Sequence, residues 1–154
     1  MKTLLIYATN SGNTYYTALR IAEMLKSYGF FVDVRSAGDV VLDILDSYDT
    51  IILGSCTWNR HAATAKYEDG QLQDQMQRLV ERSRGETFAN KTFAIFGLGD
   101  SAYEHFCAAA DHLEKFVALV KGKKVGDTLR IDSFPQPQEA IIDAWARSLV
   151  PLLK

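Results

Sequence analysis

Only two cysteines, three histidines and three prolines occur in this chain of 154 residues. Cys56 and Cys107 have no CxxC partner and no metal-ligand spacing, so neither a zinc site nor a disulfide-stapled scaffold is expected, and both thiols should be free in a reducing compartment. Charge of one sign is also missing. The formal net charge is −2, and no basic stretch is longer than Lys121-Gly122-Lys123-Lys124, which reads as a solvated turn. Nucleic-acid binding has no electrostatic footprint here. The apolar run at the N-terminus, Leu4-Leu5-Ile6-Tyr7-Ala8, is too short for a secretory core or a membrane span and gives way to polar residues at Thr9. The expectation is a cytoplasmic protein. With 47% hydrophobic and 23% charged residues the chain can bury a real core, and its length suits one domain over residues 1–154.

What is present is alternation. Apolar runs suited to strands, at Lys2–Ala8, Phe30–Ser36, Thr50–Gly54, Thr92–Gly97 and Lys124–Ile131, take turns with segments of helical period. That order predicts βαβ units around a parallel sheet. Three of the runs, Leu4-Leu5-Ile6-Tyr7, Ile51-Ile52-Leu53 and Phe93-Ala94-Ile95-Phe96, are nearly continuous in apolar residues, as strands covered on both faces should be. Helices are expected over Thr14–Tyr28, ending at Gly29, over Val40–Leu45 as a short piece, and over Leu72–Arg82, Tyr103–Val120 and Glu139–Leu153. The stretch Asn59–Gly70 is long for a strand-to-helix connection. In an open parallel sheet ligands sit beyond the carboxyl ends of the strands, which directs attention to the loops after strands one, three and four.

Three loops stand out there. Thr9-Asn10-Ser11-Gly12-Asn13-Thr14 precedes a helix and offers backbone N–H groups, hydroxyls and amides to a phosphate, but no Lys or Arg. A triphosphate loop would need a lysine and a dinucleotide site would show GxGxxG, so a monophosphate held by neutral donors fits better. The same residue types also suit an ordinary N-cap. Gly54-Ser55-Cys56-Thr57-Trp58-Asn59 carries a tryptophan at the loop end of its strand, where the ring can face a ligand or fold back over the core. Gly97-Leu98-Gly99-Asp100-Ser101-Ala102-Tyr103-Glu104-His105-Phe106-Cys107 holds two glycines that allow either close ligand approach or a tight turn into the next helix. Phe106 and Cys107, taken alone, look like core.

Together these segments resemble the flavodoxins. Thr-x-Ser-Gly-x-Thr after strand one is similar to their phosphate loop, Thr57-Trp58 to their first aromatic loop, and Gly-x-Gly-Asp-x-x-Tyr-x-x-Phe-Cys to their second. The resemblance spans the chain and implies a doubly wound flavodoxin-like fold, a five-stranded parallel sheet of order 2-1-3-4-5 with helices on both faces. It further implies non-covalently bound FMN, a low-potential one-electron carrier rather than an enzyme, and transient partners: a flavodoxin reductase and electron acceptors. A monomer of the short-chain branch is expected, since no long insertion precedes Leu129-Arg130-Ile131-Asp132. By position, Thr9, Asn10, Ser11, Gly12, Asn13 and Thr14 would hold the phosphate, and Trp58 and Tyr103 would flank the isoalloxazine. The backbone around Asn59, Gly99, Asp100, His105 and Cys107 would meet its polar edge, with Cys56, Thr57, Leu98 and Phe106 as further contacts.

This chain departs from the family pattern in three places. Asn59 stands where a glycine usually permits a backbone flip, Cys56 where a small hydroxyl or proline is common, and Arg60-His61 where acidic residues often flank the ring. Arg60 and His61 would make the more negative flavin potential less negative. Two rival readings share the βαβ plan: a flavin-dependent quinone oxidoreductase, which needs additional chain for a second substrate pocket, and a response-regulator receiver, which needs acids after strand one and at the end of strand three. The first loop has no acid and the third strand ends in Gly54-Ser55-Cys56.

Overall fold

The computed structural model describes residues 2–58, with the backbone alone at Trp58, and residues 71–101 and 106–153. Its elements in chain order are β1 (Lys2–Ala8), α1 (Asn13–Ser27), β2 (Phe31–Ser36), 3-10 turns at Ala37–Asp39 and Leu42–Ser47, β3 (Thr50–Trp58), β4 (Gln71–Leu72), α2 (Asp74–Ser83), β5 (Thr92–Gly99), α3 (Ala108–Leu119), β6 (Lys123–Lys124), β7 (Leu129–Asp132) and α4 (Glu139–Leu153).

The sheet runs β2-β1-β3-β5, with β6 and β7 both parallel to β5 as two pieces of one edge strand. Counting those pieces together gives the expected order 2-1-3-4-5. The edge strand is interrupted because Lys124 pairs with Phe93 while Leu129 pairs with Phe96, so residues 125–128 hold more chain than the register can absorb. Lys123, expected in a turn, is an exposed strand residue, and Lys124, at the start of the expected fifth strand, pairs there beside it.

Side chains alternate across the sheet with the period of two that strand geometry imposes. Leu4, Ile6, Ile51, Leu53, Phe93 and Ile95 face a core shared with Met76 and Leu79 of α2 and Leu113 and Phe116 of α3. Leu5, Ile52, Ala94, Phe96 and Leu98 face the opposite core with Ile21 and Leu25 of α1 and Ile142 and Leu149 of α4. Helices thus cover both faces, which explains the continuous apolar runs. The α1–α4 pair is tied by a bidentate Arg20–Asp143 bond at 2.7 Å, which holds the Asp143 carboxyl below the usual carboxylate range.

Boundaries moved where polar chemistry overrides the apolar pattern. The expected short helix at Val40–Leu45 is a 3-10 turn over Leu42–Ser47 with one fully buried residue, Leu45, so little burial supports a longer helix. The helix expected from Leu72 begins at Asp74, because Leu72 belongs to β4 and the Gln73 side chain caps the helix by accepting the Gln75 N–H at 2.7 Å. The helix expected from Tyr103 begins, among the described residues, at Ala108.

Candidate functional site

The carboxyl ends of β1, β3, β5 and β7 converge on a cleft of about 230 Å³ lined by Ser11, Asn13, Thr14, Cys56, Thr57, Leu98, Gly99, Asp100, Ser133 and Phe134. Eight of these ten residues belong to the three loops singled out in the sequence. Convergence follows from the topology. The chain leaves β1 for one face of the sheet and β3 for the other, which opens a crevice between the two connections.

The β1–α1 loop is built for an anion. Gly12 stands at the helix N-cap with φ of 92°, a left-handed conformation natural to glycine, and no side chain caps the helix. The first-turn N–H groups of Asn13, Thr14 and Tyr15 therefore lack helical partners. Two of the expected donors have structural duties. Thr9 Oγ1 accepts the Gly12 N–H at 2.9 Å and closes the loop, and Asn10 Oδ1 accepts from Gln73 Nε2 at 3.2 Å, tying the loop to the start of α2. Thr14 differs. Its hydroxyl is fully buried, lines the cleft and makes no hydrogen bond of ordinary geometry, its polar neighbour being the weakly bonding Cys56 thiol. A buried hydroxyl so poorly partnered carries a desolvation cost unless a ligand satisfies it.

Two segments expected to be loops are strand. β3 continues through Gly54, Ser55, Cys56 and Thr57 to Trp58, because these residues pair with β5 on one side and β4 on the other: Ser55 with Gly97, Cys56 with Leu98, Thr57 with Leu72. Burial raises the pKa of the Cys56 thiol. Thr57 Oγ1 accepts the Ala109 N–H at 3.2 Å and so satisfies the start of α3. Likewise β5 includes Gly97, Leu98 and Gly99. A Cβ on Gly97 would lie 2.8 Å from the Ala110 methyl, and one on Gly99 would lie 2.5 Å from the Cys107 nitrogen. Both glycines admit the start of α3 against the sheet, a requirement the ligand-approach and tight-turn readings did not contain. Leu98 is core as well as cleft lining.

Cys107 opens α3 in the left-handed region with φ of 49°, and its buried thiol lies 3.5 Å from the Ile131 carbonyl and 3.7 Å from that of Gly97. Desolvation pushes its pKa up to about 12, which leaves it protonated and inert. Its side chain is core, and its carbonyl is occupied by the Arg130 guanidinium at 3.1 Å. Phe106 is half-buried at the same corner. Asn59, Arg60, His61, Tyr103 and His105, like the side chain of Trp58, lie outside the described residues. Both cysteines are free thiols, as their spacing predicts.

Ser133 and Phe134 were missed, because the loop after the fifth strand was not among those searched. Ser133 has φ of 63°, its N–H donates to the Gly99 carbonyl at 2.7 Å, and Phe134 is 66% exposed at the rim of the cleft. The general rule that every strand's carboxyl end faces the crevice was signal enough to include it. Among the described lining residues Asp100 is the one acid, and none is Lys or Arg.

This donor set, neutral hydroxyls and helix-end N–H groups around a poorly satisfied Thr14, fits the monophosphate arm of FMN. The sequence model of the flavodoxin family matches residues 5–145. The chain is 37% identical over 139 residues to a probable flavodoxin 2 of Bacillus subtilis, covering 90% of this chain and 86% of that one. It is 30% identical over 149 residues to a flavodoxin of Maridesulfovibrio salexigens, covering 96% of both chains. Its fold superposes on the crystal structure of oxidised flavodoxin 2 from Bacillus cereus with a TM-score of 0.88 at 29% identity, over 98% of this chain and 99% of that one. With fold, cleft and sequence in agreement over nearly the whole length, the chain belongs to the flavodoxin family of FMN-binding electron carriers.

Proposed function

We propose that the chain, as one domain over residues 1–154, carries single electrons on FMN between a reductase and acceptor redox proteins, acting as a cytoplasmic monomer. The observation that supports this reading most is the buried hydroxyl of Thr14, with the Cys56 thiol beside it, in a cleft where no described lining residue is Lys or Arg. When bound, the flavin supplies the redox chemistry, and the protein supplies orientation, hydrogen bonds and exclusion of water. The helix-end N–H groups of Asn13, Thr14 and Tyr15, with the hydroxyls of Ser11 and Thr14, would hold the phosphate. Trp58 and Tyr103 would flank the ring, and the peptide edges near Asn59, Asp100 and His105 would meet its polar side. Cys56, Thr57, Leu98 and Gly99 would floor the cleft beneath it, with Phe134 at its rim. Among the described residues no helix is long and apolar enough to cross a membrane, in keeping with a carrier that meets its partners in solution.

A carrier and an enzyme of the same fold differ in one cheap assay. Anaerobic protein loaded with FMN keeps its oxidised flavin absorbance when NADH or NADPH is added alone, and loses it when a catalytic amount of a flavodoxin reductase follows. Rapid bleaching by the nicotinamide alone would assign it instead a nicotinamide-using activity of its own.

A further inference from the structure

The connection that carries Tyr103 leaves β5 at Asp100 and enters α3 at Cys107, and both of its described ends are held by one face of β7. Leu129 and Ile131 point into the α1–α4 core, so the alternation of the strand turns Arg130 and Asp132 to the other side, toward the start of α3. Asp132 takes the near end: Oδ1 accepts the Ser101 N–H at 2.9 Å and Oδ2 accepts the Ser101 hydroxyl at 2.6 Å. Arg130 takes the far end: NH1 donates to the Cys107 carbonyl at 3.1 Å, and NH2 to Asp111 Oδ1 at 2.7 Å in the first turn of α3. Ser133 adds a backbone bond from its N–H to the Gly99 carbonyl. The bonds from Ser101 draw the Asp132 carboxyl below its ordinary range.

Such a two-point clamp goes beyond what the core needs. Leu129 and Ile131 already anchor β7 by burial, and the side-chain hydrogen bonds of Asp132 and Arg130 act on the ends of the connection and the first turn of α3 rather than on the sheet. We propose that Arg130 and Asp132 are positioning residues that fix both described ends of the β5–α3 connection, which the FMN reading sets against the ring, so that β7 sets how tightly the protein grips the ring end of its cofactor. Their side-chain hydrogen bonds go to Ser101, Ser133, Cys107 and Asp111, none of them in the β1–α1 loop. The inference rests on the FMN reading and adds to it a separate element that acts on the ring alone.

The test compares Asp132→Ala, Asp132→Asn, Ser101→Ala and Arg130→Gln, each titrated as apoprotein with FMN and with riboflavin by quenching of flavin fluorescence. Asp132→Ala and Arg130→Gln are expected to weaken both flavins by the same factor, about tenfold. Asp132→Asn, which can still accept the Ser101 N–H, should restore most of that loss. The double variant Ser101→Ala, Asp132→Ala should be no weaker than Asp132→Ala alone, since the two groups act through one bond. Urea unfolding of the same apoproteins controls for folding, because a purely structural role lowers stability without changing flavin affinity in protein that remains folded. Affinity unchanged in folded Asp132→Ala and Arg130→Gln, or a loss confined to FMN, would overturn the clamp while leaving the FMN reading intact. Wild-type protein that fails to bind FMN would overturn both.

Discussion

Riboflavin is expected to bind this protein at least a hundredfold more weakly than FMN, and Thr14→Val is expected to abolish part of that difference. A hydrogen bond to a charged group is worth about 1.5–3 kcal/mol, and each 1.4 kcal/mol is about tenfold in affinity, so losing a phosphate held by several donors should cost two decades or more. Thr14 separates this account from a generic helix end. Its hydroxyl is buried with only the weakly bonding Cys56 thiol beside it, so replacing it with the near-isosteric valine removes a poorly satisfied group from the apoprotein. Relief of that desolvation should stabilise the apoprotein by about 1 kcal/mol. The same change should weaken FMN by about tenfold and leave riboflavin unaffected. The two effects have opposite signs and come from one atom. Denaturant unfolding of apoprotein and flavin titration of the same sample read them both, and a variant less stable and equally tight for FMN would remove Thr14 from the phosphate site.

Trp58→Ala and Tyr103→Ala are each expected to lower affinity for FMN and for riboflavin alike. Stacking of a base on an aromatic side chain is worth about 1–3 kcal/mol, so a loss of roughly tenfold or more should follow from either change. The pattern is the converse of that at Thr14: ring walls act on both flavins, phosphate donors on one. Fluorescence titration of the four protein–flavin pairs checks it, and unchanged affinity in both variants would mean that other residues flank the ring.

How much of this could be read from residues alone depended on what each stretch buries. Strands covered on both faces had to be apolar throughout, so Leu4–Tyr7, Ile51–Leu53 and Phe93–Phe96 were plain, and α4 at Glu139–Leu153 matched its apolar period to the residue. The carboxyl ends of β3 and β5 were missed because they border the cleft. Ser55, Cys56 and Thr57 are polar or small there, and they looked like loop although they are paired in the sheet. A stretch rich in Ser, Thr and Asn before α1 suggested a side-chain cap, yet Gly12 occupies that position and leaves the N–H groups uncovered. Gly97 and Gly99 suggested room for a ligand, whereas the atoms they make room for belong to α3, a long-range contact that no local pattern encodes. The same holds for Arg130 and Asp132, whose partners lie some twenty to thirty residues earlier in the chain, at Cys107, Asp111 and Ser101.

The most direct test of the central claim is the visible spectrum of the protein as purified, with the released cofactor identified by chromatography and counted against protein. Expected are the two absorption bands of an oxidised flavin, complete release of the yellow compound on acid denaturation, its identity as FMN, and one molecule per chain. Colourless protein that takes up no FMN on reconstitution, or protein that binds FAD or riboflavin as tightly as FMN, would contradict the claim.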